Sequence, residues 1–340
     1  MIKPQEYLLN RYPRGKDYTN PILFNCNFPY RVVSIDSMGD CYLCRCDPHL
    51  PVSVGNISDF AELSEIWSNP IAQELQKTVD DHSYTYCAVK HCGIINQNQY
   101  IENKFGSPQY HISVSIDDSC NLACPSCRRQ AINYTDGPVY KRKLAQVNHF
   151  VELLNNFTEY MTIILTGNGD PLASLIMRPL ILNWTPKEKQ NIILFTNGLL
   201  MKKLLPDSSV IARIHEFQIS VDAGSAEVYE QVRRPGKFEV LQENLSWLSK
   251  NRKPNTKVTL KFVLSCANAG DIINFVNMCS EYGFDGDITK IEDWSTFDNF
   301  EEQDVAGNPT HKLYLTAIEQ LRQAATHPNI HISPILKYLL

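Results

Sequence analysis

From residue 108 onward the apolar positions follow two alternating rhythms. Short apolar runs predict strands at 110–116, 161–165, 191–196, 216–221, 257–264 and 286–291. Between them, apolar residues recur at helical spacing over 141–155, 173–182, 238–251, 271–282 and 312–325. A short β-branched run bounded by turn residues suits a strand, and repeats at i, i+3 and i+4 suit a helix. Strand followed by helix, about six times over, predicts parallel strands joined by crossover helices. Runs such as Asn191-Ile-Ile-Leu-Phe195 fit a sheet covered on its faces. Six units fall short of a complete eight-unit barrel. The expected fold class is therefore α/β, a partial (β/α)6 TIM-like barrel. Ligands of such folds gather at the C-terminal ends of the strands.

Residues 20–107 lack this rhythm. They are cysteine-rich and irregular, with one short helix predicted over 59–76 that places Leu63, Ile66 and Trp67 on one face. The polar stretch 96–108, closing in Gly106-Ser-Pro108, predicts a linker. Three regions follow: an N-terminal extension (1–19), a small cysteine-rich module (20–107), and the barrel with a C-terminal helix and tail (108–340).

Composition narrows the function. The 340 residues, 43% hydrophobic and 20% charged, are enough for a large core. A net charge of −5 with no basic face argues against nucleic acid. No apolar run of the length of a membrane span occurs, so no membrane partner is expected. The first residues, Met1-Ile-Lys-Pro-Gln-Glu-Tyr, carry no apolar signal region, and a cytoplasmic location is expected. In such a compartment eleven cysteines point to metal rather than to disulfides. Nine of the eleven fall within the first 127 residues, in two sets.

The second set is Asp118-Ser-Cys-Asn-Leu-Ala-Cys-Pro-Ser-Cys-Arg128, directly after the first predicted barrel strand. A cubane iron–sulfur cluster takes four thiolates. Cys120, Cys124 and Cys127 supply three, which leaves one iron open, as catalytic metal sites require. A zinc knuckle is the other reading, although zinc sites are usually built from paired Cys-x2-Cys hooks. The Cys-x3-Cys-x2-Cys spacing resembles the signature of the radical S-adenosylmethionine (SAM) superfamily. That resemblance implies a 4Fe–4S cluster on these three cysteines, with SAM on the fourth iron.

Further motifs stand at the ends of later strands. Thr166-Gly-Asn-Gly-Asp-Pro-Leu172 reads either as a turn before a helix or as a backbone cradle with an acid beside it. Short polar residues in Phe195-Thr-Asn-Gly198 and Ile219-Ser-Val-Asp-Ala223 are either helix caps or ligand contacts. By resemblance, Thr166, Gly167, Asn168, Gly169 and Asp170 stand where the family holds the amino group of SAM, with Asn168 replacing a glycine and Asp170 a glutamate. The same resemblance points to Thr196, Asn197, Ser220 and Asp222 as contacts to the SAM ribose and carboxylate. Arg233, in Tyr229-Glu-Gln-Val-Arg-Arg-Pro235, is the matching partner of that carboxylate. The family usually carries an aromatic residue before the third cysteine; here it is Ser126.

The N-terminal set is Cys26, Cys41, Cys44, Cys46, Cys87 and Cys92, spaced as Gly39-x4-Cys44 and Cys87-x4-Cys92. A structural zinc site that stabilises a core-poor region remains one account of it. The stretch resembles the SPASM or twitch module, which implies an auxiliary 4Fe–4S cluster on Cys26, Cys44, Cys87 and Cys92. Cys41 and Cys46 are the substitutes. In relatives the module usually follows the barrel, and here it precedes it.

Cys266 closes the fifth predicted barrel strand, either as a small buried residue or as a thiol at the substrate mouth that returns a hydrogen atom to a substrate radical. Cys279 sits in an apolar helix and reads as packing; Asp293 and Trp294 are candidates to line the substrate cavity. The resemblance implies reductive cleavage of SAM to a 5′-deoxyadenosyl radical, which abstracts a hydrogen atom from substrate. It implies a flavodoxin or ferredoxin type electron donor. The expected substrate is a ribosomal peptide or protein, modified by epimerisation, oxidation or cross-linking. A radical dehydrogenase or epimerase acting on an aminosugar or other small molecule is the alternative. A non-catalytic, zinc-stabilised binding protein is the reading from another class.

Overall fold

A computed structural model describes residues 26–44, 50, 52–87, 92 and 109–340. The 1–19 extension, Cys46 and the 96–108 linker lie outside the described residues. The chain forms two compact units that interleave along the sequence. The first comprises 1–117, 136–168 and 184–192; the second comprises 118–135, 169–183 and 193–340.

In the first unit, β1 (Val32–Ile35), β2 (Asp40–Leu43) and β3 (Ser53–Asn56) form an antiparallel meander. The β1–β2 turn is set by Asp36, whose carboxylate accepts from the N–H groups of Met38 and Asp40 at 2.8 and 2.9 Å. Gly39 supplies the left-handed residue, at φ +87°. These strands were not expected in a region read as irregular. Each has only four residues, too few for a period to show against the intervening cysteines and glycines. Strand β1 then runs parallel to β4 (Tyr110–Val114), and β4 parallel to β5 (Met161–Leu165).

The helix predicted over 59–76 is broken. A single turn (Glu65–Ser68) precedes α1 (Pro70–Asp80), because Asn69 caps α1 by accepting from Ile71 and Ala72, and Pro70 occupies its first position. Helix α2 (Gly137–Asn156) buries Val147, Phe150, Leu153 and Leu154, one face at helical spacing. Strand β6 (Gln190–Thr196) carries the chain from the first unit into the second.

The second unit continues through β7 (Ile214–Ser220), α3 (Ala226–Val232), α4 (Phe238–Asn251), β8 (Lys257–Leu264), α5 (Ile272–Tyr282), β9 (Asp285–Lys290), α6 (Tyr314–Ala324) and β10 (Ile330–Ile332). Strands β7, β8, β9 and β10 pair in that order, all parallel. Parallel strands joined by crossover helices bear out the α/β class. Two alternating faces follow from the pleat. Phe217, Ile219, Leu260, Phe262 and Ile288 are buried on one of them, where Phe262 meets Phe275 of α5 at 5.0 Å between ring centroids. The opposite face is polar: Lys261 pairs with Asp287, which also accepts from His331 Nδ1 at 2.7 Å.

The helix predicted over 173–182 is replaced by turns and a short π-helical stretch, Pro179–Asn183. Pro179 removes the N–H that an α-helix needs there. Strand β10 has three residues and was not anticipated. No helix among the described residues is long and apolar enough to cross a membrane.

Candidate metal and cofactor site

The cysteine triplet lies in the second unit on a loop without regular structure that is held by its own backbone. Cys120 donates its N–H to Ile132 O at 2.9 Å, Ala123 to Arg234 O at 2.7 Å, and Cys127 and Arg128 to Cys124 O at 2.9 and 3.0 Å. Ser119 Oγ accepts from Tyr134 N–H at 3.0 Å. The thiols grade from buried Cys124 through half-buried Cys120 to exposed Cys127. Burial pushes the Cys120 and Cys124 thiols up, opposed by the Leu122 N–H at Cys120 and by Arg233 at Cys124. The Leu122 N–H lies 3.4 Å from Cys120 Sγ.

Asp170 ties this loop to the end of β6. Its N–H donates to Ser119 O at 2.8 Å. One carboxylate oxygen accepts from Leu172 and Ala173 N–H at 2.9 and 3.2 Å; the other accepts from Thr196 Oγ1 at 2.9 Å and Asn197 N–H at 2.6 Å. All four bonds are internal, so Asp170 as placed acts as a hub of the strand ends. Burial raises its pKa, partly offset by these donors. Gly169 is obligatory for the close approach, since a Cβ there would stand 2.1 Å from Ser119 O. Asn197 turns its amide to Asn121 Oδ1 at 2.8 Å and to Cys120 Sγ at 3.8 Å.

Asp222 and Arg233 form a buried ion pair at 3.0 Å. Ser220 ends β7, half-buried, two residues before Asp222. Cys266 lies two residues beyond β8, half-buried, with its thiol donating to Gln303 Oε1 at 3.1 Å. Burial raises its pKa, opposed by Lys312. Cys279 packs inside α5 as expected. Trp294 is exposed, and Asp293 accepts from Ser295 N–H in a local turn. Of the glycine-loop candidates, Thr166, Gly167 and Asn168 belong to the first unit, where Thr166 N–H donates to Val114 O at 3.2 Å and Asn168 is exposed.

Also in the first unit, Cys26, Cys87 and Cys92 pack around Val79 and fully buried Tyr84, whose hydroxyl accepts from Cys26 N–H at 3.1 Å. Cys44 follows β2 at φ +83°, half-buried. Cys41 is a core residue of β2, completely enclosed, and burial pushes its thiol far up. That environment suits packing rather than ligation.

The donor sets fit iron–sulfur clusters. Among the described residues no three His, Cys, Asp or Glu side chains converge tightly enough for one metal ion. A cubane instead asks for thiolates spread over its corners and for N–H donors to sulfur. The triplet loop offers three cysteines with N–H groups beside Cys120, and the N-terminal set gathers three around one tyrosine. Asn121, Arg128, Ser119 and Tyr229 were missed from sequence. Asn121, Arg128 and Ser119 lie within or next to the cysteine run; Arg128 Nη1 donates to Asp118 O at 2.7 Å. Nothing in local pattern marks Tyr229.

Residues 26–93 match SPASM, an iron–sulfur cluster-binding domain. An AdoMet-dependent heme synthase of Oleidesulfovibrio alaskensis is 30% identical over 162 residues, 46% of this chain and 39% of that protein. The GTP 3′,8-cyclase of Clostridium perfringens is 25% identical over 189 residues, 54% of this chain and 56% of that protein. Mycofactocin maturase MftC of Mycobacterium tuberculosis is 23% identical over 173 residues, 51% of this chain and 42% of that protein. The chain thus spans about half the length of the curated relatives it matches. Streptococcus suis SuiB, solved with precursor peptide SuiA, aligns with a TM-score of 0.44 at 13% identity, over 90% of this chain and 72% of that one.

Proposed function

We propose that this chain, a radical SAM protein with an N-terminal SPASM module, cleaves SAM reductively and abstracts a hydrogen atom from a peptide substrate. The observation that carries the reading is the cysteine loop: three thiols, backbone-fixed, bonded through Ser119 to Asp170 and facing the Asn197 amide at the end of β6. Cys120, Cys124 and Cys127 would hold a 4Fe–4S cluster with one iron left for SAM, and Cys26, Cys44, Cys87 and Cys92 an auxiliary cluster. When bound, cluster and SAM supply one-electron chemistry that generates a radical able to attack an unactivated carbon.

The chain's own residues bind, orient and exclude water. Ser220, Thr196 and Asn197 offer hydroxyl and amide groups where the SAM ribose and carboxylate would lie, and Gly169 offers backbone polar groups to its methionine part. Asp170 holds Thr196 and Asn197 in place at the end of β6. Cys266 is the candidate thiol for hydrogen-atom return. The match to a maturase supports a peptide substrate, and a flavodoxin or ferredoxin type protein would be the electron donor.

Anaerobic reconstitution tests this. The full chain is expected to take up about eight irons with sulfide, and to form 5′-deoxyadenosine from SAM on reduction. The Cys120→Ala variant should lose the SAM cleavage while keeping the auxiliary iron. Uptake of zinc with no SAM cleavage refutes the reading.

A further inference from the structure

The Asp222–Arg233 pair does more than its sequence positions suggest. Both residues are buried, 5% and 9% exposed. Asp222 sits at φ +60°, a conformation that costs a non-glycine residue energy and persists only when its surroundings enforce it. Those surroundings are explicit. Its Oδ1 accepts from Val263 N–H at 2.8 Å, its Oδ2 from Arg233 at 3.0 Å, and its carbonyl from Asn268 Nδ2 at 2.9 Å. The neighbouring Arg234 carbonyl takes the Ala123 N–H at 2.7 Å, between Cys120 and Cys124. One ion pair therefore anchors the segment that holds the cysteine loop.

The guanidinium has spare capacity. Arg233 Nε and the enclosed Tyr229 hydroxyl are buried polar atoms without a partner. Burial alone would lower the arginine's pKa; the neighbouring Cys124 and Asp222 more than offset it. A buried ion pair seldom stabilises a fold more than apolar packing of the same volume, so its presence asks for another role. A fixed cation close to the thiolates of a cluster favours the state with the extra electron, because that state carries more negative charge.

We infer that Asp222 and Arg233 form a buried charge clamp behind the cysteine loop, in which Arg233 is a positioning residue that holds the loop and makes its cluster easier to reduce. This rests on the iron–sulfur reading above. It differs from a contact to the SAM carboxylate, which acts only when SAM is present. The clamp acts on the cluster with SAM absent.

The test is an EPR-monitored redox titration of the reconstituted full chain without SAM, following the signal that Cys120→Ala removes. In Arg233→Gln the reduced-to-oxidised ratio at a fixed potential is expected to fall tenfold or more. Arg233→Lys should stay within about threefold of wild type, and Asp222→Asn, nearly isosteric, should shift the ratio the opposite way. If Arg233→Gln does not fold, the opposite shift in Asp222→Asn still carries the clamp. An unchanged ratio in Arg233→Gln with weakened SAM binding overturns it, as do shifts of the same sign in both variants. Loss of iron from Asp222→Asn also overturns it, marking the pair as a folding element. A wild-type chain that holds no iron–sulfur cluster refutes the functional reading itself.

Discussion

Replacing Asp170 by asparagine removes one negative charge and almost no volume, which makes it a sharp probe of the strand-end hub. The carboxylate accepts four hydrogen bonds, two at each oxygen, and has 3% of its surface exposed. An amide keeps one acceptor oxygen. Whichever way it turns, its NH2 group faces two donors, either the Leu172 and Ala173 N–H groups or the Thr196 hydroxyl and Asn197 N–H. Two hydrogen bonds are lost and one buried donor is left unpaired: Leu172 N–H in one orientation, since Ala173 N–H also reaches the Asp170 carbonyl at 3.0 Å, or Asn197 N–H in the other, since the Thr196 hydroxyl can turn to accept. Unpaired buried donors cost about 1–3 kcal/mol each, and relief of a buried charge returns part of that. The expected net loss is about 2 kcal/mol, within a range of about 1–3. The assay is guanidinium unfolding of the metal-free chain, wild type against Asp170→Asn. The midpoint should fall with an unchanged slope, which marks a change in stability rather than in the extent of unfolding. A midpoint equivalent to less than about 0.5 kcal/mol of change refutes the reasoning. It would mean that Asp170 is neutral in the native chain or that its four donors find other partners.

Three further outcomes follow from the geometry. Cys41→Ser places a hydroxyl in a sealed core site and should lower stability by about 1–3 kcal/mol while leaving iron content unchanged, whereas Cys87→Ser should lose auxiliary iron; unfolding curves and iron assays on both variants check this. Asp287 is half-buried, which raises its pKa, but Lys261 and His331 outweigh this and hold it below the ordinary carboxylate value. Its contribution is therefore present above that value and lost as pH falls through the lowered pKa, so an acid-unfolding series should show a shallower acid limb in Asp287→Asn than in wild type. Cys266→Ala, turned over in deuterated solvent, should abolish deuterium incorporation into product; full incorporation and unchanged turnover remove the hydrogen-donor role.

The parts most legible in the sequence were those written in local periodicity and spacing. Strands 161–165 and 257–264 and helix 238–251 coincide with the observed elements because long apolar runs and helical repeats outlast any tertiary influence. The 173–182 segment misled because its apolar spacing suits a helix, while Pro179 forbids the hydrogen bond. The short strands β1–β3 were invisible for the opposite reason: four residues carry too little period, and pairing with partners elsewhere in the chain decides their state.

The same division runs through the site. Cysteine number and spacing by themselves raised the expectation that a cluster on Cys120, Cys124 and Cys127 would keep one coordination position open, since that count is a property of one short loop. Partnership was decided only by the tertiary structure. It made Asp170 a hub rather than a free acid and sealed Cys41 away from the N-terminal set. It also turned Asp222 and Arg233 toward each other in a buried ion pair. Ionic contacts form between residues distant in sequence, and burial sets their strength. A linear pattern carries neither the distance nor the dielectric.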